Sequence, residues 1–379
     1  MNNKTVKSDH DETIYVNGRF LGRPVTGVER FAGMILKQID ALAESDSRLR
    51  WTVLAPAGVA KPSFLSNLPF RNVGRLQGHV WEQIDLWRAA RSGTLINFCN
   101  SGPVLHGQQL TMIHDALVYR HPEYFSKPYG MLHRRLGKLL ARRSELATVS
   151  AFSRSELSEI LSVPIDEIEV IPNAVDHMAD VQADLSVIDN FDLASRKFFL
   201  FVGSPAPNKN LLRTILAFRT FGRADYALVI VGRAAKSFAS SRLGELPANV
   251  IATGRLSDEQ IQALYQHAEA LIFPSLYEGF GIPPLEAMRA GCLVLAADIP
   301  PVREVCGDAA VYFNPLDPEA IAQAMRKIAN DSFDGSVMKQ TSRRRTEEFS
   351  WHASALRLVT RAREIARRDN STLHISTTA

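Results

Sequence analysis

The chain predicts an α/β protein of two Rossmann-like domains facing each other across a cleft, and three observations carry that prediction. Short apolar strands alternate with helical patterns from end to end, the mark of parallel βαβ units. A polar, weakly patterned stretch at 179–195 breaks the alternation near its middle. The 379 residues are long for one core of ordinary size and suit two.

The first set of strands is read at 13–16, 51–54, 94–98, 110–113, 146–149 and 168–171. The second is read at 198–202, 227–231, 249–252, 270–273 and 293–296, each followed by a helical pattern. In open sheets of this kind ligands sit beyond the carboxyl ends of the strands, so facing domains feed one cleft with loops from both. The expected divisions are a first domain over 1–180, a linker over 181–195 and a second domain over 196–350. A helix over 351–368 follows, marked by Trp351, Leu356, Val359 and Ile365, and then a tail over 369–379.

Composition narrows the function classes. Hydrophobic residues make up 46% of the chain, which argues against disorder. Cys99, Cys292 and Cys306 are odd in number and share no CxxC spacing, so neither a disulfide framework nor a zinc site is expected, and a reducing cytosol is the simplest home. Residues 1–12 hold no apolar core, so no ordinary secretory signal is expected there. No apolar run approaches the roughly 20 residues needed to span a bilayer, and membrane contact is expected to be peripheral. Of the 44 Lys/Arg and 40 Asp/Glu, 20 and 12 respectively fall in residues 1–150, so the net charge of +4 belongs to the front of the chain. The basic residues lack interleaved stacking aromatics, which disfavours a nucleic-acid role.

The chemistry concentrates in Phe273-Pro274-Ser275-Leu276-Tyr277-Glu278-Gly279-Phe280-Gly281-Ile282-Pro283-Pro284-Leu285-Glu286-Ala287-Met288. A strand leads into a glycine loop, and a proline pair opens a helix. Backbone amides at such a helix start bind phosphate oxygens or hydroxyls, and glycine lets a ligand approach closely. Glu278 and Glu286 flank the loop, and a carboxylate accepts two vicinal hydroxyls, so ribose suits Glu286 and a hexose Glu278. Lys209 follows the strand at 198–202 and opens a helix, joining an ammonium to a helix N-terminus. His114-Asp115 follows the strand at 110–113, at the end facing the cleft, where a histidine can bond a hydroxyl or move a proton. Asp115 reads as orienting local backbone. The only Asp-x-Asp, Asp9-His10-Asp11, precedes every strand and is not expected to hold a metal. Arg134, Lys138 and Arg142 recur at i, i+4 spacing and read either as a solvated helix face or as a dock for anionic lipid head groups.

The stretch 273–288, continued by Ala290-Gly291-Cys292-Leu293-Val294-Leu295-Ala296 and Glu304-Val305-Cys306-Gly307-Asp308-Ala309-Ala310, resembles the Glu-x7-Glu signature of retaining GT-B glycosyltransferases of family four, the glycosyl transferases group 1. The likeness extends through Val202-Gly203-Ser204, Asn208-Lys209-Asn210, Ile171-Pro172-Asn173-Ala174-Val175-Asp176, Thr148-Val149-Ser150-Ala151-Phe152-Ser153-Arg154, Ile113-His114-Asp115 and Thr26-Gly27-Val28. The resemblance implies the GT-B fold, a first domain that binds acceptor, a second that binds donor, and a last helix that crosses back to the first domain. It implies ribose for Glu286, diphosphate for Lys209, the donor sugar for Glu278 and the amides of Gly279, Phe280 and Gly281, and a sugar hydroxyl for His114. Gly27 would face the phosphates. No cofactor, metal or protein nucleophile is implied; a nucleotide-diphosphate sugar is the substrate, and its departing phosphate helps to deprotonate the acceptor.

Relatives often carry an arginine where this chain has Ser204 or Asn208, which leaves Arg233, Arg30 or the Ser204 hydroxyl to assist Lys209. The opening Tyr15-Val16-Asn17-Gly18-Arg19-Phe20-Leu21 is similar to polysaccharide-assembly members, several of them mannosyltransferases, making GDP-mannose the leading donor and a lipid-linked or polysaccharide hydroxyl the acceptor. The expected location is cytoplasmic, at the inner face of a membrane. Two other readings stand beside this one. A sugar-nucleotide epimerase of the same fold would need no acceptor, and a non-catalytic glycan- or lipid-binding subunit would not need Lys209 or Glu278.

Overall fold

A computed structural model describes residues 13–45, 50–233, 246–330 and 332–375, with 369–375 as backbone. Asp9-His10-Asp11 and the end of the expected tail lie outside the described residues. The first sheet has seven strands in the order β3-β2-β1-β4-β5-β6-β7. These are β1 (Thr13–Asn17), β2 (Arg50–Ala55), β3 (Phe70–Asn72), β4 (Thr94–Asn97), β5 (Gln109–Met112), β6 (Glu145–Thr148) and β7 (Ile168–Val170). The second has six in the order β10-β9-β8-β11-β12-β13: β8 (Lys197–Val202), β9 (Tyr226–Val231), β10 (Val250–Gly254), β11 (Ala270–Phe273), β12 (Val294–Ala297) and β13 (Val311–Phe313). Every paired neighbour is parallel.

Parallel strands covered on both faces read as unbroken apolar runs, and β4, β5, β9, β11 and β12 are buried at every residue. The two strands the sequence did not announce, β3 and β13, are three-residue edges; β3 is Phe-Arg-Asn, with two exposed residues and no run to detect. Strand order reverses between β1 and β4 in the first sheet and between β8 and β11 in the second. Those switch points open the crevices in which such sheets bind ligands.

Two segments fix the domains to one another. Within the expected linker, a helix Ser186–Asn190 buries Val187 and Ile188, and Asp184 N–H donates to Glu259 O at 3.0 Å, so this stretch packs on the second domain. The last helix, Trp351–Ile375, runs past residue 368 and lies against the helix Gly27–Ala43 and strands β1, β4 and β5 of the first sheet. Its start is pinned by Asp176, whose carboxylate accepts from Trp351 N–H at 3.2 Å, and by Ser354 Oγ–H, which donates to Pro172 O at 2.8 Å. Trp351 is fully buried, and truncating such a tryptophan to alanine costs about 3–5 kcal/mol.

Candidate active site

The loop 274–281 leaves β11 and turns into the helix Ile282–Arg289 at Gly281, whose φ of 104° is a conformation side-chain-bearing residues rarely adopt. The loop does not stand alone. Asn208 O accepts from Leu276 N–H at 2.7 Å, Asn208 Nδ2 donates to Tyr277 O at 3.2 Å, and Asn210 Nδ2 donates to Pro274 O at 3.0 Å and Pro315 O at 2.7 Å. Asn210 sits at φ 60°, the left-handed region that asparagine tolerates, and opens the helix Leu211–Phe221. Lys209, held between the two asparagines, donates from Nζ to Glu278 Oε1 at 2.6 Å. The strand ends β8 and β11 thus meet through one ammonium–carboxylate pair.

Glu286 lies in the second turn of Ile282–Arg289, buried, and accepts from Tyr265 Oη–H at 3.0 Å. Burial raises its carboxyl above the ordinary range, partly offset by Arg30 and the Tyr265 hydroxyl. Arg30 belongs to the first domain and makes a bidentate pair with Asp258 of the second, at 2.7 and 2.6 Å. It is an interdomain clasp rather than a solvated charge. Ser204 and Arg233 are exposed at the ends of β8 and β9.

Across the cleft, His114 follows β5 and is buried. Its Nε2 lies 2.8 Å from Phe98 O, and because a carbonyl only accepts, Nε2 carries the proton and Nδ1 is left as an acceptor. The ring meets Phe31 edge to face at 5.0 Å, and burial pulls its pKa down to about 4, so the imidazole is neutral near pH 7. Asp115 Oδ1 accepts from Leu117 N–H at 2.8 Å, the local orienting role expected of it. Its carboxyl is raised by burial and also feels Glu278 and Lys209.

The loop 274–281 touches this wall directly. Gly279 O accepts from Ser150 Oγ–H at 2.5 Å and Ser153 Oγ–H at 3.1 Å, and a Cβ on Gly279 would stand 2.4 Å from His114 O. Gly27 faces the same helix start: a Cβ there would lie 3.6 Å from Ile282 Cδ1. Glu304 caps the first-domain helix Ala151–Leu161, accepting from Ala151 and Phe152 N–H at 2.6 and 2.8 Å.

The structure therefore gathers Lys209, Glu278, Gly279 and His114-Asp115, sets Glu286 deeper with Tyr265 and Arg30 near it, and leaves Ser204 and Arg233 on the rim. The Phe280 ring packs edge to face on Phe349 at 5.5 Å, so this residue has only its backbone to offer a ligand. Sequence reasoning missed Tyr265, the Arg30–Asp258 clasp, the tying role of Asn208 and Asn210, and the serines. The serines stand in the quoted segment 148–154, where the helix cap Ser150 was the available signal.

The basic stripe is not one face. Arg134 is half-buried, with Nη1 directed to Val118 O at 3.5 Å, whereas Lys138 and Arg142 are exposed and Arg142 lies beyond the end of the helix Lys127–Leu140. The exposed face carries Tyr129, Met131, Leu132 and Leu139 with Arg135 and Lys138. Among the described residues no helix is long and apolar enough to cross a membrane, and no group of three or more His, Cys, Asp or Glu is placed to hold a metal.

Residues 189–347 match the family model described as glycosyl transferases group 1. The chain is 28% identical over 333 residues to the O-antigen chain mannosyltransferase RfbU of Salmonella typhimurium, covering 83% of this chain and 90% of that protein. It is 30% identical over 256 residues to the O-antigen chain mannosyltransferase B of Escherichia coli, covering 64% of this chain and 66% of the relative. In fold it is similar to the solved sucrose-phosphate synthase of Thermosynechococcus elongatus, with a TM-score of 0.73 over 93% of this chain and 99% of that one at 15% identity.

Proposed function

Because the chain belongs to the glycosyl transferases group 1, we propose that it moves a hexose, with retention and without a metal, from a nucleotide-diphosphate donor to a hydroxyl of a lipid-linked or polysaccharide glycan. The observation that carries this reading is the Lys209–Glu278 pair on the tied loop. The ammonium and the carboxylate neutralise each other across 2.6 Å. A donor separates them: the diphosphate takes the ammonium, and the freed carboxylate accepts hydroxyls of the sugar. Glu286, within reach of Arg30's field, accepts the ribose hydroxyls. The neutral His114 offers Nδ1 to a sugar hydroxyl. The bond from the anomeric carbon to the diphosphate oxygen breaks as the acceptor oxygen bonds the same face of that carbon, and the acceptor proton passes to the departing phosphate. Lys209 and the start of the helix Leu211–Phe221 stabilise the charge that develops there.

Mannose from GDP-mannose is the leading donor, supported by the likeness to two bacterial O-antigen chain mannosyltransferases. A cytoplasmic protein resting on the inner face of an anionic membrane fits the exposed apolar and basic side chains of the helix Lys127–Leu140. Calorimetric titration with GDP, UDP and dTDP tests the donor reading. Preference for one nucleotide, weakened by both Lys209→Ala and Glu286→Ala in folded protein, supports it; binding of none by folded protein rejects it. Stereochemistry and metal need are read from the anomer formed and from turnover in excess chelator.

A further inference from the structure

Asp258 and Tyr265 belong to one helix, Asp258–His267, at a spacing that puts them on the same face. Asp258 pairs with Arg30 of the first domain, and Tyr265 donates from Oη–H to Glu286 Oε2 at 3.0 Å. We propose that Tyr265 is a positioning residue for the donor: its hydroxyl aims the Glu286 carboxylate, and the affinity it adds is affinity for the ribose hydroxyls of the nucleotide, not for its base or diphosphate. This rests on the transferase reading above and adds a residue that acts through Glu286. Tyr265 is 0% exposed, so it does not itself touch a ligand.

Packing alone needs neither group. Leu285, Ala287 and Met288, which flank Glu286 on the helix Ile282–Arg289, are apolar and fully buried, and the Tyr265 ring lies in the same core with Leu264 and Cys292. A phenylalanine would fill the ring's place, and a buried hydroxyl is destabilising unless it has a partner. Glu286 is that partner, and among the described residues Tyr265 is the side chain that hydrogen-bonds it. A carboxylate can accept about four hydrogen bonds. Burying one that accepts a single bond weakens a core rather than building it. With Oε2 held by the tyrosine, Oε1 is turned to the work of accepting from a ligand.

The physical gain is preorganisation. A glutamate side chain is long and rotates freely, and fixing it at the moment a ligand arrives costs entropy. The Tyr265 hydroxyl fixes it in the fold. It also favours the ionised carboxylate, as Arg30 does, against the burial that raises the carboxyl's pKa. The helix that carries the tyrosine is itself anchored at its start. Ser257 Oγ accepts from Gln260 N–H at 3.3 Å while Gln260 Oε1 accepts from Ser257 N–H at 3.2 Å, and the next residue, Asp258, holds the arginine. The hydroxyl is therefore offered from a fixed base.

The test uses the full chain and its Tyr265→Phe variant, with folding checked by circular dichroism and urea melts. GDP and UDP are titrated calorimetrically beside their 2′,3′-dideoxy counterparts, which keep the base and diphosphate and lack the ribose hydroxyls. Wild type should bind the ribonucleotide more tightly than its dideoxy form. Tyr265→Phe should lose about tenfold in affinity for the ribonucleotide, the scale of one hydrogen bond to a charged group, and less than about twofold for the dideoxy form. In turnover assays the donor KM should rise by about the same tenfold factor with kcat within about twofold, because ribose is gripped equally before and during the reaction. A merely structural loss would weaken both forms alike. That outcome, or a Tyr265→Phe protein that prefers the ribonucleotide as strongly as wild type does, overturns the proposal and leaves the donor reading standing. Failure of the donor reading shows separately in wild type, as binding of neither nucleotide or equal affinity for the two forms, and the proposal falls with it. If Tyr265→Phe does not fold, 3-fluorotyrosine in place of Tyr265 keeps the hydroxyl. Its fluorine NMR resonance should shift on saturation with the ribonucleotide and stay within its linewidth with the dideoxy form, and equal shifts overturn the proposal.

Discussion

The two walls of the cleft are built by different means. On the second-domain wall, Asn208 and Asn210 bind the loop backbone at Pro274, Leu276 and Tyr277, and Lys209 and Glu278 are set between those ties. On the first-domain wall, Asp115 makes one local hydrogen bond, and near it the rings of Phe125, Tyr129 and His133 pack on one another. A departing diphosphate needs charges already fixed in place, because reorganising dipoles during the reaction wastes the stabilisation they could give. The first wall is shaped instead by ring packing, and side chains on surface elements have more freedom to vary. One wall is rigid for charge; the other is contoured for surface.

The strongest test of that contrast removes the fixed charge. Lys209→Ala should lower turnover by roughly 10²–10³-fold, the scale found when a preorganised stabilising group is lost, while folding changes little because the Lys209–Glu278 pair is partly exposed. Steady-state rates beside urea melts check both parts. Turnover within threefold of wild type would break the comparison at its root.

His114 probes how dry the first wall is. Its pKa of about 4 lies below the ordinary 6.5 because the ring is buried, so the unfolded chain takes up the proton first. The contribution of the neutral ring to stability is complete above pH 6.5 and is lost as pH falls from 6.5 towards 4, by about 3 kcal/mol at most. His114→Gln can keep the bond to Phe98 O and should lose less stability than wild type over that interval in urea melts taken at steps of pH. Parallel curves would mean that the ring is hydrated in solution.

What was legible follows the same division. The apolar runs of β8, β9, β11 and β12 and the glycines, prolines and glutamates of 273–288 are local in sequence, so the second sheet and its loop could be read directly. A cavity of about 200 Å³ beside Asp115 draws on residues from Asn100 to Gly137, spread over several elements with no period that announces it. Arg30 and Asp258 are separated by 228 positions, and spacing cannot show such a pair. Arg134 failed for another reason. An i, i+4 register says which residues share a stripe but not which part of it packs inward, and the contact with Val118 O decided that.

Where the two walls touch, Gly279 is the point of closest approach. A Cβ at 2.4 Å from His114 O cannot be accommodated without shifting one backbone or the other. Gly279→Ala should therefore lower turnover about tenfold, roughly 1.4 kcal/mol in barrier, and leave nucleotide affinity within threefold, because the ties through Asn208 and Asn210 are untouched. Calorimetry and rates on the same protein separate the two. Equal losses in both would mean that the loop itself has moved and that the walls are not independent.

The smallest expected effect concerns the clasp between the walls. Arg30 pairs with Asp258 with side chains 22% and 39% exposed, so the pair adds about 1 kcal/mol or less to stability. Its larger consequence falls on Glu286, whose pKa burial raises and Arg30 pulls back. On the proposed reading the ionised carboxylate accepts the ribose hydroxyls, so nucleotide affinity is expected to hold at high pH and to fall as pH drops through the raised pKa. Without the guanidinium that pKa rises further, and Arg30→Ala should begin to lose affinity at a higher pH than wild type, while matching it in alkaline buffer where both carboxyls are ionised. Glu286→Gln should bind weakly with no such dependence. Titrations over a series of pH values decide: if Arg30→Ala and wild type fall together, Arg30 joins the domains without tuning Glu286, and the electrostatics of the second wall are its own.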